Sequence, residues 1–267
     1  MISKIWSLAL LVILDGLRRN ALIGLLLLAL LLETAGLFFF QFIPRDIGRA
    51  SADFILSVGW LTGFLFLFFH AVQVMAWDEE RRTIHTLLAL PISRGQYVLG
   101  VYLALALLIL TFNIVLACIG YGILAMIKGT VQSIYFTDLS VSYFTLAWLG
   151  LYFIELILLS VILLFSGLVR GGFPVLLLSV SYYFICIGLP VVRETVQRND
   201  DRLAAAMLKG MTAIFPDFSR FDFKSLITAP LPQPLSQYLS DNCLLAAAYI
   251  AVALVVTVMI YQKRDLQ

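Results

Sequence analysis

The chain's topology is set by a charged stretch, Trp77-Asp-Glu-Glu-Arg-Arg-Thr-Ile-His-Thr-Leu-Leu-Ala-Leu-Pro-Ile-Ser-Arg94. It lies between two apolar runs, each long enough to cross a membrane. Between Glu80 and Leu90, apolar side chains recur at helical spacing on one side, and basic side chains lie around the other. This pattern predicts a short amphipathic helix that ends at Pro91. A loop that only reverses the chain does not need such a surface.

The two ends of this hairpin also carry helix signals. Asp78, Glu79 and Glu80 stand at the front of the short helix, where carboxylates oppose the positive end of the helix dipole. Ser93 and Gln96 form a Ser-x-x-Gln capping box at the start of the next apolar run. Two interpretations fit these residues equally: a docking surface for a soluble protein, or an ordinary juxtamembrane helix in the lipid headgroups.

The composition predicts an all-α membrane protein in a single domain, residues 1–267. Hydrophobic residues make up 62% of the chain and charged residues 13%, whereas about 25% of residues are charged in soluble domains. A formal net charge of +2 argues against a nucleic-acid partner. Cys118, Cys186 and Cys243 fall in different apolar runs without a Cys-x-x-Cys pair, which predicts buried, inert thiols and no metal site or disulfide.

Six apolar stretches meet the length that a bilayer requires, which is roughly 20 helical residues. These spans are residues 21–43, 53–76, 97–127, 143–169, 172–192 and 243–262. The first apolar run, Ile5 to Leu14, is too short to cross, so residues 1–19 are expected to form an interfacial helix. A cleavable signal peptide is the less favoured alternative, because Asp-Gly-Leu-Arg-Arg follows this run where a small-residue cleavage site would stand.

Basic residues predict the orientation. One side of the six-span arrangement holds Lys4, Arg18, Arg19, Arg81, Arg82, Arg94, Arg170, Lys263 and Arg264, and the short loops opposite hold Arg45, Arg49 and Lys128. The positive-inside rule therefore predicts that both termini are cytoplasmic and that the protein lies in the cytoplasmic (inner) membrane. Residues 193–242 are then external, and the six further basic residues there do not reverse this orientation, because long translocated loops are weakly constrained.

The external segment, residues 193–242, contains two patterns. Residues 200–210 are helix formers ended by a glycine, which predicts a short helix. Residues 214–223 alternate aromatic and polar side chains, and three prolines follow, at positions 230, 232 and 234. The aromatic rings are expected to rest at the membrane interface, with direct contact to a substrate as the alternative.

The hairpin resembles that of ABC-2 type permeases, which typically reads as an acidic residue, Gly-Thr, Leu-Leu, Pro-Ile/Val-Ser-Arg and then Leu-Gly-Lys. Here Leu-Gly is Leu99-Gly100, and Val101 stands where the lysine often follows. Leu14-Asp-Gly-Leu-Arg-Arg19 is similar to the elbow helix that opens these permeases, and Tyr261-Gln-Lys-Arg-Asp-Leu266 is similar to their last residues. Phe215-Pro-Asp-Phe-Ser-Arg-Phe-Asp222 resembles a sequence of the subgroup linked to copper-enzyme maturation and gliding motility. The resemblance covers nearly the whole chain.

This resemblance implies a membrane subunit, an exporter, that is driven by a separate ATPase and pairs with a second copy or a homologous permease. The chain contains no Gly-x-x-x-x-Gly-Lys-Ser/Thr phosphate loop, so ATP and Mg are expected in the partner and no cofactor or catalytic residue in this chain. The coupling hairpin would be residues 79–94. Its expected ATPase-coupling residues are Glu79, Glu80, Arg81, Arg82, Thr83, Leu87, Leu88, Pro91, Ser93 and Arg94.

Three ionisable residues lie inside predicted spans: Glu33, His70 and Glu155. Charged groups at membrane depth cost several kcal/mol unless paired or hydrated, so these residues indicate either a translocation pathway or polar contacts between helices. A proton-coupled secondary transporter or channel that uses them is the rival function. An intramembrane enzyme lacks support, because the chain has no Gly-x-Ser-x-Gly or His-Glu-x-x-His motif.

Overall fold

The computed structural model describes residues 2–18, 20–40, 47–75, 93–130, 141–199, 208, 210, 215–223 and 235–263. Within these ranges the fold is all-helical and contains no strand. The helices are α1 (Ile2–Arg18), α2 (Asn20–Phe40), α3 (Ile47–Leu65), α4 (Arg94–Thr130), α5 (Val141–Leu168), α6 (Gly172–Asn199) and α7 (Leu235–Lys263). A π-helical turn, Phe66–Ala71, extends α3 to Met75, and a 3-10 turn covers Phe218–Phe221.

Five of these helices are long and apolar enough to cross a membrane, which confirms a multi-pass membrane protein. They are Ile47–Met75, Arg94–Thr130, Ser142–Leu168, Gly172–Val192 and Leu235–Lys263. Four agree closely with predicted spans, and the last begins at Leu235, earlier than the predicted residue 243. The predicted span 21–43 corresponds to α2, whose apolar section Leu22–Gly36 is shorter than these five.

The centre of the bundle is formed by α3, α4 and α5. Within the most apolar window of each helix, 67%, 50% and 61% of the residues are buried, against 28% for α6 and 17% for α7. Glycines allow the central helices to approach closely. A Cβ atom at Gly59 would overlap the Trp148 ring, and one at Gly120 would press against Ile55. The outer helices α6 and α7 therefore face mostly away from the rest of this chain.

Helix α1 runs alongside the first half of α4. A Cβ atom at Gly100 would collide with the Leu8 side chain, and one at Gly16 would lie 2.9 Å from Leu108 Cδ1. From the first contact to the second, the residue number rises by eight on both helices, so the two helices are parallel. One face of α1 is thus buried against α4, while Trp6, Leu10, Leu11, Leu14 and Leu17 are exposed. The sequence predicted an interfacial helix over residues 1–19; the helix is present, its position at the membrane interface stays a prediction, and its lengthwise packing on α4 was not predicted.

The expectation that all three cysteines are buried was wrong. Cys186 is buried, but Cys118 and Cys243 are exposed, because an apolar run does not reveal which of its faces points into the protein. Pro190 lies near the end of the apolar span Gly172–Val192, and α6 continues beyond it to Asn199. A proline removes one backbone hydrogen bond and can kink a helix, and here the helix continues past it.

Candidate functional site

The Arg94 end of the bundle begins with the predicted capping box. The Ser93 backbone N–H donates to Gln96 Oε1 at 3.1 Å, and the Gln96 backbone N–H donates to Ser93 Oγ at 3.3 Å. These reciprocal bonds satisfy two N–H groups that have no partner inside the helix. The first turn of α4 therefore has a defined geometry at the point where the charged hairpin ends, and the capping-box prediction is confirmed.

Arg94 ties this point to the end of α7. Its guanidinium Nη1 donates to the backbone oxygen of Tyr261 at 2.9 Å and to that of Gln262 at 3.1 Å. Carbonyls in the last turn of a helix lack intrahelical donors, so the Arg94 cation caps the negative end of α7. The Tyr261 hydroxyl is 3.2 Å from Ser166 Oγ on α5. A displacement of Arg94 would thus reach α4, α5 and α7 together.

The rest of the expected coupling set lies outside the described residues. This holds for Glu79, Glu80, Arg81, Arg82, Thr83, Leu87, Leu88 and Pro91. Their roles stay predictions.

Glu155 is the centre of a buried polar contact among α3, α4 and α5. Asn113 Nδ2 donates a short hydrogen bond to Glu155 Oε2 and another, of 3.1 Å, to the Ile109 backbone oxygen. The Glu155 carboxyl fills the space beside Gly63, where a Cβ atom would overlap it. Because Glu155 and Asn113 are both buried, this contact is an interhelical bond inside the bundle.

Two tyrosines also cross between α4 and α5, and both of their contacts on α4 precede Asn113 in the chain. The Tyr152 hydroxyl donates to the Ala106 backbone oxygen at 3.3 Å, and the Tyr102 hydroxyl donates to the Leu156 backbone oxygen at 3.5 Å. With Asn113, they place three polar side chains along one face of the α4–α5 contact. Sequence analysis missed Asn113 and both tyrosines. Of the three, only Asn113 could have been found from the sequence, because it is an amide side chain in a strongly apolar run.

His70 lies in the π-helical turn, away from Glu155. Its ring stacks against Phe66 with centroids 5.0 Å apart, and a methyl group at Gly16 on α1 would lie 3.2 Å from His70 Nε2. Gly63, beside Glu155, and His70 are seven residues apart on α3, which is about 10 Å along a helix. His70 is therefore placed at the junction of α1, α3 and α4, and not at the Glu155–Asn113 contact.

Glu33 is the third predicted ionisable site. Its side chain is 1% exposed, and neither carboxyl oxygen has a hydrogen-bond partner in the described structure. No hydrogen bond joins it to Glu155 or His70 among the described residues. The three residues are all buried, as expected, but they do not form one hydrogen-bonded site.

Residues 215–223, which we call the strap, cross the opposite end of the bundle. Phe218, Phe221 and Phe223 are buried at 3%, 0% and 0% exposure. The Tyr238 hydroxyl donates to the Arg220 backbone oxygen at 3.1 Å, and Asp217 Oδ1 accepts from the Ser219 backbone N–H at 3.1 Å. The expectation that these rings rest at the membrane interface was wrong for all three, because they pack inside the protein.

A comparison of the chain with protein-family models and with curated sequences found no match.

Proposed function

We propose that this chain is the permease subunit of an ATP-driven ABC-2 type exporter, which pairs with a second permease and is moved by a separate ATPase. In this proposal α1 is the elbow helix and α2 is the first of six spans. Residues 79–94 form the cytoplasmic coupling hairpin, and residues 193–242 form the external segment. Both termini lie in the cytoplasm.

The observation that carries the proposal is the anchorage of Arg94. It joins the end of the hairpin to the carbonyls of Tyr261 and Gln262, and the capping box stiffens the first turn of α4. A force applied to the hairpin would therefore tilt α4, α5 and α7 together and would not be lost in a flexible loop. This linkage is what a subunit driven from outside the membrane requires.

The distribution of basic residues supports the proposed orientation. Arg94 meets the end of α7 near Lys263, and Gly167 contacts Tyr261 shortly before Arg170. These cations share one end of the bundle, as the positive-inside rule expects of a cytoplasmic face. Lys128 and Arg49 lie at the other ends of their helices.

In the proposed mechanism, nucleotide-driven closure of two ATPase subunits pushes the paired hairpins. The push tilts α3 and α4, with α5 and α7 moved through the Arg94 link, and opens a pathway alternately to each side of the membrane. ATP and Mg would be bound by the ATPase and not by this chain.

The test is co-purification of the ATPase with a variant hairpin. Leu87→Asp with Leu88→Asp should release the ATPase, because two charges would replace the apolar face expected to dock it. Leu139→Asp, in the sequence between α4 and α5, is the control and should retain the ATPase. Membrane extraction followed by size-exclusion chromatography checks that all variants are inserted and folded.

Retention of the ATPase by the hairpin variant would contradict the docking site. If no ATPase accompanies even the unchanged chain from its native membrane, the whole proposal fails. A proton-coupled transporter receives less support, because Glu33, His70 and Glu155 are not joined by hydrogen bonds in the described structure and a relay needs closely spaced groups.

A further inference from the structure

A cavity of about 340 Å³ lies between the strap and the helices α3, α5 and α6. Its lining includes Trp60 on α3, Tyr183 and Ile187 on α6, and Phe218 and Phe221 on the strap. This volume is at the small end of the range for sites that bind drug-sized molecules, about 300–1,000 Å³. Its lining contains neither Ser93 nor Arg94, the described residues of the coupling hairpin, and the proposed function assigns it no role.

Aromatic rings form one side of the cavity. The ring centroids of Trp60 and Tyr183 are 5.8 Å apart, and those of Tyr183 and Phe218 are 6.0 Å apart. Phe64 supports both Trp60 and Tyr183 from behind, at 5.5 Å and 4.1 Å. The rings are therefore held in a fixed arrangement. A planar ligand can stack on them without the entropy cost of first ordering these side chains.

The polar groups of the cavity are few and unevenly placed. Tyr183 is 1% exposed, and its hydroxyl lies near Trp60 without a hydrogen bond of ordinary geometry in the described structure. A buried hydroxyl without a good hydrogen bond is destabilising, and a ligand that bonds to it would offset part of that cost. Asp222 supplies the acidic residue of the lining, and Ser57 and Ser219 supply hydroxyls.

The strap holds its side of the cavity in place. Its Phe221 backbone oxygen lies so close to Gly150 on α5 that a Cβ atom there would overlap it. The Phe221 ring meets Phe153 edge to face at 6.3 Å, and Phe223 packs on Tyr238 of α7 at 5.6 Å. The strap is thus tied to two spans by rings and by the Tyr238 bond, and the cavity is a preformed space.

We propose that this cavity is a binding site for a small aromatic cation. The ring system of the ligand stacks on Trp60 and Tyr183, its cationic end lies toward Asp222, and an amine donates to the Tyr183 hydroxyl. A cation beside an aromatic face is attracted by the negative face of the ring, and the acidic residue adds charge complementarity. The site does not depend on the proposed ATPase, so its test can fail independently of the coupling test.

The experiment is a titration of ethidium, whose fluorescence rises in an apolar site, against the purified chain in lipid nanodiscs. We expect saturable binding above that of empty nanodiscs of the same lipid. Trp60→Ala and Asp222→Asn should each raise the dissociation constant about tenfold, and Tyr183→Phe should raise it several-fold. Ile187→Trp, which fills the cavity from a partly exposed position, should abolish saturable binding.

Matched controls change the same residue types elsewhere. Trp6→Ala on α1, Asp241→Asn on α7 and Tyr121→Phe on α4 should bind ethidium as the unchanged chain does. Phenanthridine, a neutral ring system, should bind more weakly and should not respond to Asp222→Asn. The site is disproved if ethidium binds no more than to empty nanodiscs, or if the Trp60, Tyr183 and Ile187 variants all match the unchanged chain.

Discussion

At the scale of single residues, Gly63 and Glu155 share one small space. We expect Gly63→Ala to lower the melting temperature by several degrees, because its methyl group would overlap the buried carboxyl, and overpacking costs about 1–3 kcal/mol. Circular dichroism in detergent measures the shift. Gly122→Ala on α4 has open space around it and should be neutral or slightly stabilising. Equal melting temperatures for both variants would contradict the close contact.

The same pair should be energetically coupled. Glu155→Ala removes the carboxyl that the Gly63 methyl group would meet, so Gly63→Ala should cost much less in that background. Neighbouring residues show coupling energies of about 0.5–3 kcal/mol, whereas distant ones add. A double-mutant cycle from four melting curves measures this coupling. Strict additivity would mean that α3 and α5 do not meet through these residues.

Glu33 is expected to weaken the bundle in the absence of a partner subunit. Its carboxyl oxygens are buried without hydrogen bonds, so Glu33→Met should raise the melting temperature of the isolated chain by a few degrees. A shape-matched apolar side chain removes the desolvation cost. A lower melting temperature would show that the carboxyl is stabilised by a group in the isolated chain.

At the scale of helices and loops, the Arg94 link should protect the end of α7. Arg94→Ala removes two charge-assisted hydrogen bonds, so amide hydrogen exchange in the last turn of α7 should quicken about tenfold or more. Arg49→Ala, an exposed arginine at the start of α3, is the control and should leave that turn unchanged. Unaltered exchange in the Arg94 variant would remove the main support for transmission through this residue.

The packing of the strap on α5 should depend on the absence of a side chain at Gly150. A methyl group at this position would displace the Phe221 carbonyl, so Gly150→Ala should increase hydrogen exchange across residues 215–223. Gly188→Ala on α6 has open space and serves as the control. Unchanged protection of the strap in the Gly150 variant would mean that it is held in place by its other contacts.

Much of the helix layout was predictable, because charge and apolar length decide where a chain can cross a membrane. The capping box at Ser93 was also predictable, since it depends on residues three apart. The face of each helix that points into the protein was not predictable. Lipid and protein interior are both apolar, so periodicity along α4 or α5 does not separate Cys118, which is exposed, from a core residue. Contacts such as Glu155 with Asn113 require the tertiary structure.

At the scale of the whole molecule, burial is divided unequally between a tight centre and two loosely packed helices. We expect amides of α6 and α7 in detergent micelles to exchange faster than those of α3, α4 and α5. The physical reason is that helices with a small buried fraction open at lower free energy. Uniform protection across the five spans would contradict this division. The same experiment with a co-purified second permease would report whether pairing protects α6 or α7.

The parallel packing of α1 on α4 constrains biogenesis. Leu8 leaves the ribosome long before Gly100, the residue it must cover, and at about 5–20 residues per second the delay for about ninety residues is on the order of 5–20 s. Until then the face of α1 that packs on α4 needs another apolar environment, which lipid can supply. Helix α1 therefore reaches its native packing only after α4 has been made.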